Sequence, residues 1–389
     1  MLLNWPRMDA LPNDGFIMVS NIFSGKQVLV TGHTGFKGSW LTLGLDLLGA
    51  KVLGLSLNPP SKPDLFSKLK FSENVESKRI DITDYAKLHS AISKFKPDMV
   101  FHLAAMPTLL KSYDDPIETY RTNFMGTANL LEAIRQLNQG TEAKTKAVVN
   151  VTTDKVYENT ADILAYKEGD RFGGHDPYST SKACSELLTA SYRKSFFAMM
   201  GIGIATARAG NVIGFGDWGE NRIIPNMMRM IYENGNGISK YFISDGKLKI
   251  RESTYRPWSY ITDIINGYLI LMERLYLEPK KYSEGWNFAS DYMNIATTST
   301  LAKEILSNYP KEKGEHFLIN DFLDDTKHED KTLILDSIKS RVRLGWHSHT
   351  TFEDSCKMLV SGYDKYYNNK FSQEQMEKEL KNNLKHFKQ

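Results

Sequence analysis

The 389-residue chain has only two cysteines, Cys184 and Cys356. They make no disulfide framework and no metal-ligand spacing, so no metal is expected and a reducing cytoplasm fits. No apolar run approaches the roughly 20 residues of a membrane-spanning helix. Charge of one sign is also scarce: 49 Lys and Arg against 46 Asp and Glu leave a net +3. That is too little for the basic patch of a nucleic-acid binder. Internal repeats and low-complexity segments are missing. Residues Met1–Phe23 lack the basic start and apolar stretch of a secretory signal, and residues 1–24 read as an N-terminal extension. Residues 365–389 are polar, with mixed charges, and read as a solvated helix or a frayed end.

What the chain does have is alternation. Short apolar runs at Gln27–Val30, Lys51–Leu55, Met99–Leu103, Ala147–Val151 and Ile202–Thr206 take turns with helical patterns. The latter lie near Ser39–Leu48, Tyr85–Phe95, Pro116–Leu137 and Tyr178–Phe197. This predicts an α/β fold, a doubly wound parallel sheet of Rossmann type, over residues 25–210. After about Asn211 the alternation breaks, and Gly, Pro, Trp and Asn become frequent. Residues 211–364 read as a smaller C-terminal substrate-binding lobe whose elements partly return to the first domain. Within it, Ser244–Tyr255 reads as an extended loop or hairpin turning at Asp245-Gly246.

The first apolar strand runs into Thr31-Gly32-His33-Thr34-Gly35-Phe36-Lys37-Gly38 and then into a helix. Gly32 suits a tight turn, Gly35 a close backbone approach to a pyrophosphate, and Gly38 close helix–strand packing. A helix N-terminus adds free N–H groups and the positive end of its dipole. Between a strand and a helix, this glycine triplet points to dinucleotide binding. Ala104-Ala105, Thr153-Asp154 and Asn211 stand at the ends of other predicted strands, the edge at which such sheets bind ligands.

The run Asp176-Pro177-Tyr178-Ser179-Thr180-Ser181-Lys182 places a Tyr and a Lys four residues apart on one helix face. A phenol, with a pKa of about 10, is a poor base near neutrality, and an adjacent ammonium would lower that value. Such a pair takes a proton from a hydroxyl while a hydride leaves the same carbon. Thr152-Thr153-Asp154-Lys155 follows another strand, over the same edge. Alcohol oxidation requires Tyr178, Lys182 and one hydroxyl donor. The surplus Asp154-Lys155 pair suggests a second proton transfer, such as elimination of water.

Together these residues resemble the extended short-chain dehydrogenase/reductase superfamily, and within it the CDP-glucose 4,6-dehydratases. The matching stretches are TGHTGFKGSWL (31–41), HLAA (102–105), TNFMGTANLLEAIR (122–135), TTDKVYEN (152–159) and GGHDPYSTSKACSELLTASYRKSFF (173–197). ARAGNVIGFGDWGENRIIP (207–225), RPW (256–258) and RLGW (343–346) extend the match to most of the chain.

The resemblance implies a bound NAD that is reduced and reoxidised in each turnover. It implies CDP-glucose, or a related nucleotide sugar, as substrate and CDP-4-keto-6-deoxyglucose as product. Tyr178 would take the C4 hydroxyl proton, Lys182 would support it and Thr153 would hydrogen-bond that oxygen. Asp154 would protonate the departing C6 hydroxyl. Lys155 would assist C5 deprotonation, directly or through water; the other reading is an electrostatic or orienting role. Gly32, Gly35, Phe36, Gly38, Asp81, Ile82, Leu103, Ala104, Ala105 and Asn123, with Tyr178 and Lys182, would line the cofactor. Asn211, Arg222 and Arg256 would meet the substrate diphosphate. Asn123 also fits a support for the active-site helix.

Three departures qualify the resemblance. The second strand ends Leu55-Ser56-Leu57-Asn58, without the acid that holds the adenosine ribose, and Lys62 is the nearest cation in sequence. After RPW the chain reads Ser259-Tyr260-Ile261-Thr262-Asp263 in place of a Gln-His-Val-like run. The segment 242–255 is long and reads as a surface insertion; as a lid it would alter specificity. Two alternatives stay open: a dehydratase or C4 epimerase for another nucleotide sugar, and a non-catalytic NAD-binding sensor. The apolar helices at 116–137 and 178–197 predict a homodimer or a higher homo-oligomer.

Overall fold

The computed structural model describes residues 21–139, 144–160, 163–239, 242–291, 294–319 and 332–385. Most of the expected N-terminal extension, residues 1–20, and the end of the tail, residues 386–389, lie outside the described residues.

The first half supplies six strands: β1 (Gln27–Thr31), β2 (Lys51–Ser56), β3 (Val75–Arg79), β4 (Met99–His102), β5 (Ala147–Val151) and β6 (Gly203–Ala209). Its helices are α1 (Phe36–Leu47), α2 (Tyr85–Phe95), α3 (Leu109–Asp114), α4 (Pro116–Tyr120), α5 (Gly126–Leu137) and α6 (Pro177–Tyr192). The second half adds β7 (Asn211–Ile213), β8 (Ile243–Ser244), β9 (Lys247–Ile250), β10 (Tyr255–Tyr260), β11 (Gly285–Phe288), β12 (Ile295–Thr297) and β13 (Phe317–Ile319). It also adds α7 (Ile223–Glu233), α8 (Ile261–Leu277), α9 (Pro279–Tyr282), α10 (Thr298–Leu306), α11 (Phe352–Tyr367) and α12 (Gln373–Lys385).

The main sheet has seven strands in the order β11-β6-β5-β4-β1-β2-β3, all parallel. Its central strands are buried throughout their length, which is why they read as continuous apolar runs. By contrast β3, Val-Glu-Ser-Lys-Arg, carries charge because it is an edge strand. Strand order reverses between β1 and β4, so the ligand crevice lies beyond their carboxyl ends.

The second half adds to this layer. β11 pairs with β6. Helix α8 is buried on nearly every side. It packs on β5 and β6 below and on α1 and α12 above. The remaining strands form two small sheets, β12-β10-β7 and β13-β9-β8.

Two expectations need correction. The tail is no solvated or frayed end over its described length. α12 buries Met376 and Leu380, and its Asn383 donates to Asp263 Oδ1 at 2.6 Å and to Thr262 Oγ1 at 3.0 Å. Its polarity conceals a narrow docking stripe. The 242–255 segment does turn as a hairpin at Asp245 and Gly246, both at positive φ. It is not a surface insertion, because Leu248 and Ile250 are buried and β9 pairs in parallel with β13.

Two buried histidines brace the sheet beneath the crevice. His102 joins Thr31 Oγ1 at 2.7 Å to Thr127 Oγ1 at 3.0 Å. His33 meets Ser77 Oγ at 2.7 Å. Burial lowers His102 to about 3 and His33 to about 4, from an ordinary 6.5. Below that ordinary value the unfolded chain binds protons that the folded chain refuses. Stability should therefore fall as pH drops through this window, by about 1.4 kcal/mol per pH unit per histidine. Urea denaturation at several pH values checks this. His102→Gln should show a shallower slope than the wild type, and identical slopes would contradict the assignment.

Candidate active site

The glycine loop and the start of α1 form the floor. Gly32 has φ +76°, and a Cβ there would lie 2.6 Å from Ala104 N. A Cβ on Gly38 would lie 2.1 Å from Gly32 O. Only glycine permits either approach. Gly35 is the N-cap of α1 in extended backbone, with no side chain capping the helix. The first-turn N–H groups thus stay available to an anion. Leu103 N donates to Thr31 O at 3.0 Å and Ala104 N to Thr31 Oγ1 at 3.3 Å, which ties the loop after β4 to the glycine turn. The Phe36 ring lies under Gly214, just after β7. This cradle fits a dinucleotide pyrophosphate.

Asp81 and Ile82 follow β3. Asp81 Oδ1 accepts from Thr83 N at 2.8 Å, and the Ile82 side chain is buried against Gly126. Ile82 thus offers an adenine only its backbone. Asp84 caps α2. Asn123 sits in a π-helical turn, Arg121–Met125, between α4 and α5. Its amide accepts from Met106 N at 2.8 Å and donates to Ser181 Oγ at 2.9 Å. The side chain is a brace between the β4 loop and the active-site helix, with its hydrogen-bonding capacity spent on the protein.

Asp176 caps α6, accepting from Ser179 N at 2.8 Å, and Pro177 occupies the first turn. That start fixes Tyr178 and Lys182, both buried, on the inward face. Thr153 and Asp154 meet them from the end of β5. Thr153 Oγ1 donates to Asp154 Oδ1 at 2.8 Å, and its hydroxyl is near enough to Tyr178 to favour the phenolate. Lys182 Nζ donates to Val151 O at 3.2 Å. Lys155 is the middle residue of the short 3₁₀ turn Asp154–Val156 and is half-buried.

The electrostatics differ from the expectation. Burial pushes the Tyr178 phenol up to about 12; the Thr153 hydrogen bond and the Arg222 cation only partly offset this. Lys182 is itself pulled down to about 8, by burial first and Lys37 second. The same dry environment thus disfavours the charged form of both groups, although Lys182 keeps most of its charge at neutral pH. Burial also raises Asp154 above the usual carboxylate range, against the pull of Lys155, Thr153, Arg256 and Lys37. A raised pKa favours the protonated carboxyl, the form an acid uses.

The three expected substrate residues surround this group at different depths. Arg222, at the start of α7, pairs with Asp217 at 2.9 Å. Arg256, buried on β10, donates to Tyr255 O at 2.7 Å. Asn211 opens β7, in register with Trp258 of β10. A Cβ on the preceding Gly210 would lie 3.4 Å from Asp154 Oδ2, so this strand passes close to the acid. The departing run after RPW is structural: Asp263 accepts from Ser348 Oγ at 2.9 Å, and Tyr260 donates to Glu379 at 2.9 Å.

Sequence reasoning missed three groups. Lys37 shares the glycine loop, and its ammonium is pulled down to about 8 by burial and by Arg222. Arg208 and Glu186 form a buried bidentate pair behind Tyr178 and Lys182. Arg79, not Lys62, is the cation at the end of β2: it lies opposite Ser56 and donates to Asn58 Oδ1 at 3.1 Å. Only the pairing of β2 with β3 brings it there, so the sequence alone held no signal for it.

The GDP-mannose 4,6 dehydratase family profile matches residues 29–359. The chain belongs to this family. A CDP-glucose 4,6-dehydratase of Salmonella typhimurium is 40% identical over 345 residues, covering 87% of this chain and 91% of the relative. A dTDP-glucose 4,6-dehydratase of Escherichia coli is 25% identical over 358 residues, covering 87% and 92%. Among solved structures, an epimerase from Methanothermobacter thermautotrophicus superposes with a TM-score of 0.75 at 23% identity, covering 94% and 99%. A dTDP-glucose 4,6-dehydratase from Streptomyces venezuelae, solved with NAD bound, gives 0.70 at 20% identity, covering 89% and 99%. These likenesses show the shared fold.

Within this dehydratase fold, Lys182 is a costly residue. Its lowered pKa means that below about pH 8 the folded chain carries a charge it would rather lose. Lys182→Met should therefore stabilise the protein by about 1–3 kcal/mol at neutral pH while abolishing activity. The gain should shrink as pH rises above 8, because the wild-type folded chain sheds the proton before the unfolded one. Denaturation of both proteins across pH tests this; a less stable variant at neutral pH would contradict it.

Proposed function

We propose that the chain is a CDP-glucose 4,6-dehydratase, converting CDP-glucose to CDP-4-keto-6-deoxyglucose and water with NAD. The carrying observation is the 40% identity over most of both chains, together with Thr153, Asp154 and Tyr178, all buried and close enough to shift the phenol's pKa. NAD, held over the glycine loop of Gly32, Gly35 and Gly38, would supply the hydride acceptor for this chemistry.

The protein's own groups supply the proton chemistry. Tyr178 receives the C4 hydroxyl proton, with Thr153 holding the oxygen in line. The new ketone acidifies the C5 hydrogen. Asp154, whose burial favours the protonated form, donates to the departing C6 hydroxyl. Lys155, one residue on, assists at C5. An epimerase expels no water and has no use for the Asp154-Lys155 pair. Arg222, Arg256 and Asn211 hold the substrate diphosphate, and a planar arginine fork suits phosphate oxygens.

No helix among the described residues is long and apolar enough to cross a membrane. Cys184 and Cys356 are both free, which supports a cytoplasmic setting. Ile117, Met125 and Leu187 stay exposed on the packed helical segments 116–137 and 177–192. This supports a homodimer built by pairing these helices between subunits.

Incubation with CDP-glucose and NAD, read by mass spectrometry, should show loss of one water with no net reduced cofactor. Silence toward CDP-glucose but turnover of another nucleotide sugar would overturn the substrate assignment. Asp154→Asn should slow water loss by about 10²–10⁴-fold while still oxidising C4; unchanged dehydration would remove Asp154 as the acid. Light scattering should give a dimer, and charge introduced by Ile117→Glu with Leu187→Glu should give a monomer. A monomeric wild type would contradict this interface.

A further inference from the structure

We propose that the adenosine end of this site accepts a 2′-phosphorylated dinucleotide, NADP, as well as NAD, with Arg79 as the partner of the 2′-phosphate. The inference rests on the dinucleotide reading above and concerns which dinucleotide fits.

Three elements meet at this corner. β2 ends at Ser56, which is in register with Arg79, the last residue of β3. The glycine loop closes the third side: Thr34 Oγ1 is 2.7 Å from Ser56 Oγ, and His33 is 2.7 Å from Ser77 Oγ. In doubly wound sheets the ribose of the adenosine lies here, and a carboxylate at the end of β2 accepts its hydroxyls. That carboxylate also repels a 2′-phosphate. In this chain the strand ends on Ser56, with Asn58 two residues on, and both are neutral.

Arg79 supplies the attraction to go with the missing repulsion. Its guanidinium is held by Asn58 Oδ1 at 3.1 Å, by Ser77 Oγ at 3.1 Å and over the Phe66 ring at 5.7 Å. These contacts occupy Nε and Nη1 and leave Nη2. No carboxylate pairs with Arg79 among the described residues, although the chain has many surface ion pairs. A solvent-exposed arginine fixed by neutral groups, its charge unspent, is the arrangement that suits a phosphate. Nothing in the corner excludes an unphosphorylated ribose, so NAD is retained. Specificity is a difference of two affinities, and here both of its usual sources favour tolerance.

Equilibrium titration of the full chain with NADH and NADPH, and with the fragments 5′-AMP and 2′,5′-ADP, tests this without relying on turnover. The wild type should bind NADPH within about tenfold of NADH, and 2′,5′-ADP more tightly than 5′-AMP. Arg79→Ala should weaken NADPH and 2′,5′-ADP by about tenfold or more, and NADH by less than about threefold. Asn58→Asp should also weaken NADPH selectively, by restoring the repulsion. NADPH binding more than about tenfold weaker than NADH in the wild type would overturn the inference and leave the dinucleotide reading standing. Equal weakening of both dinucleotides by Arg79→Ala would do the same. Failure to bind either dinucleotide would overturn both.

Discussion

A buried ion pair organises the active site from behind. Arg208 of β6 donates to both carboxylate oxygens of Glu186 on α6, at 2.8 and 2.9 Å. Glu186 also accepts from Thr152 Oγ1 at 2.6 Å, at the end of β5. The third arm of Arg208 reaches Tyr157 Oη at 2.7 Å, and Tyr157 donates to Asn287 of β11 at 2.7 Å. One guanidinium thus joins α6, which carries Tyr178 and Lys182, to the strand end that carries Thr153 and Asp154. Breaking one partner of such a pair costs on the order of 3–5 kcal/mol, because a charge is stranded in the core. Its consequence for function is registration: the acid and base groups approach one another because their supports are locked.

The site that results is dry and tuned by burial more than by pairing. Tyr178 and Asp154 are both shifted toward their protonated forms, and Lys182 and Lys37 toward their neutral forms. The shifts of Asp154, Lys182 and Lys37 cost stability at neutral pH, as is usual where groups are kept for chemistry and not for folding. Burial holds Tyr178 as the neutral phenol, against the pull of the Arg222 cation. The surrounding cations, Arg222, Arg256 and Lys37, sit where a diphosphate would balance them.

Much of this was legible in the sequence, and the reasons are local. The glycine turn, the Tyr178–Lys182 spacing and the Thr153-Asp154-Lys155 run each lie within one strand–turn–helix unit. The parallel core strands announced themselves because they are buried on both faces. What was hidden depended on long-range pairing. The 242–255 segment read as an insertion because Leu248 and Ile250 are two apolar residues among charges, and their burial needs β13. The docking of α12 needed α8, itself buried all round. Arg79 belonged to a polar edge strand with no motif, and only its register against Ser56 places it at the ribose corner.

The central claim is that a single hydride leaves C4 of the sugar and returns to C6 of the same molecule after water is lost. The most direct measurement uses CDP-glucose deuterated at C4, with the product analysed by NMR and mass spectrometry. The account predicts deuterium at C6 of a 4-keto-6-deoxy product, retained without exchange into solvent. Deuterium still at C4, or washed out into water, would contradict it.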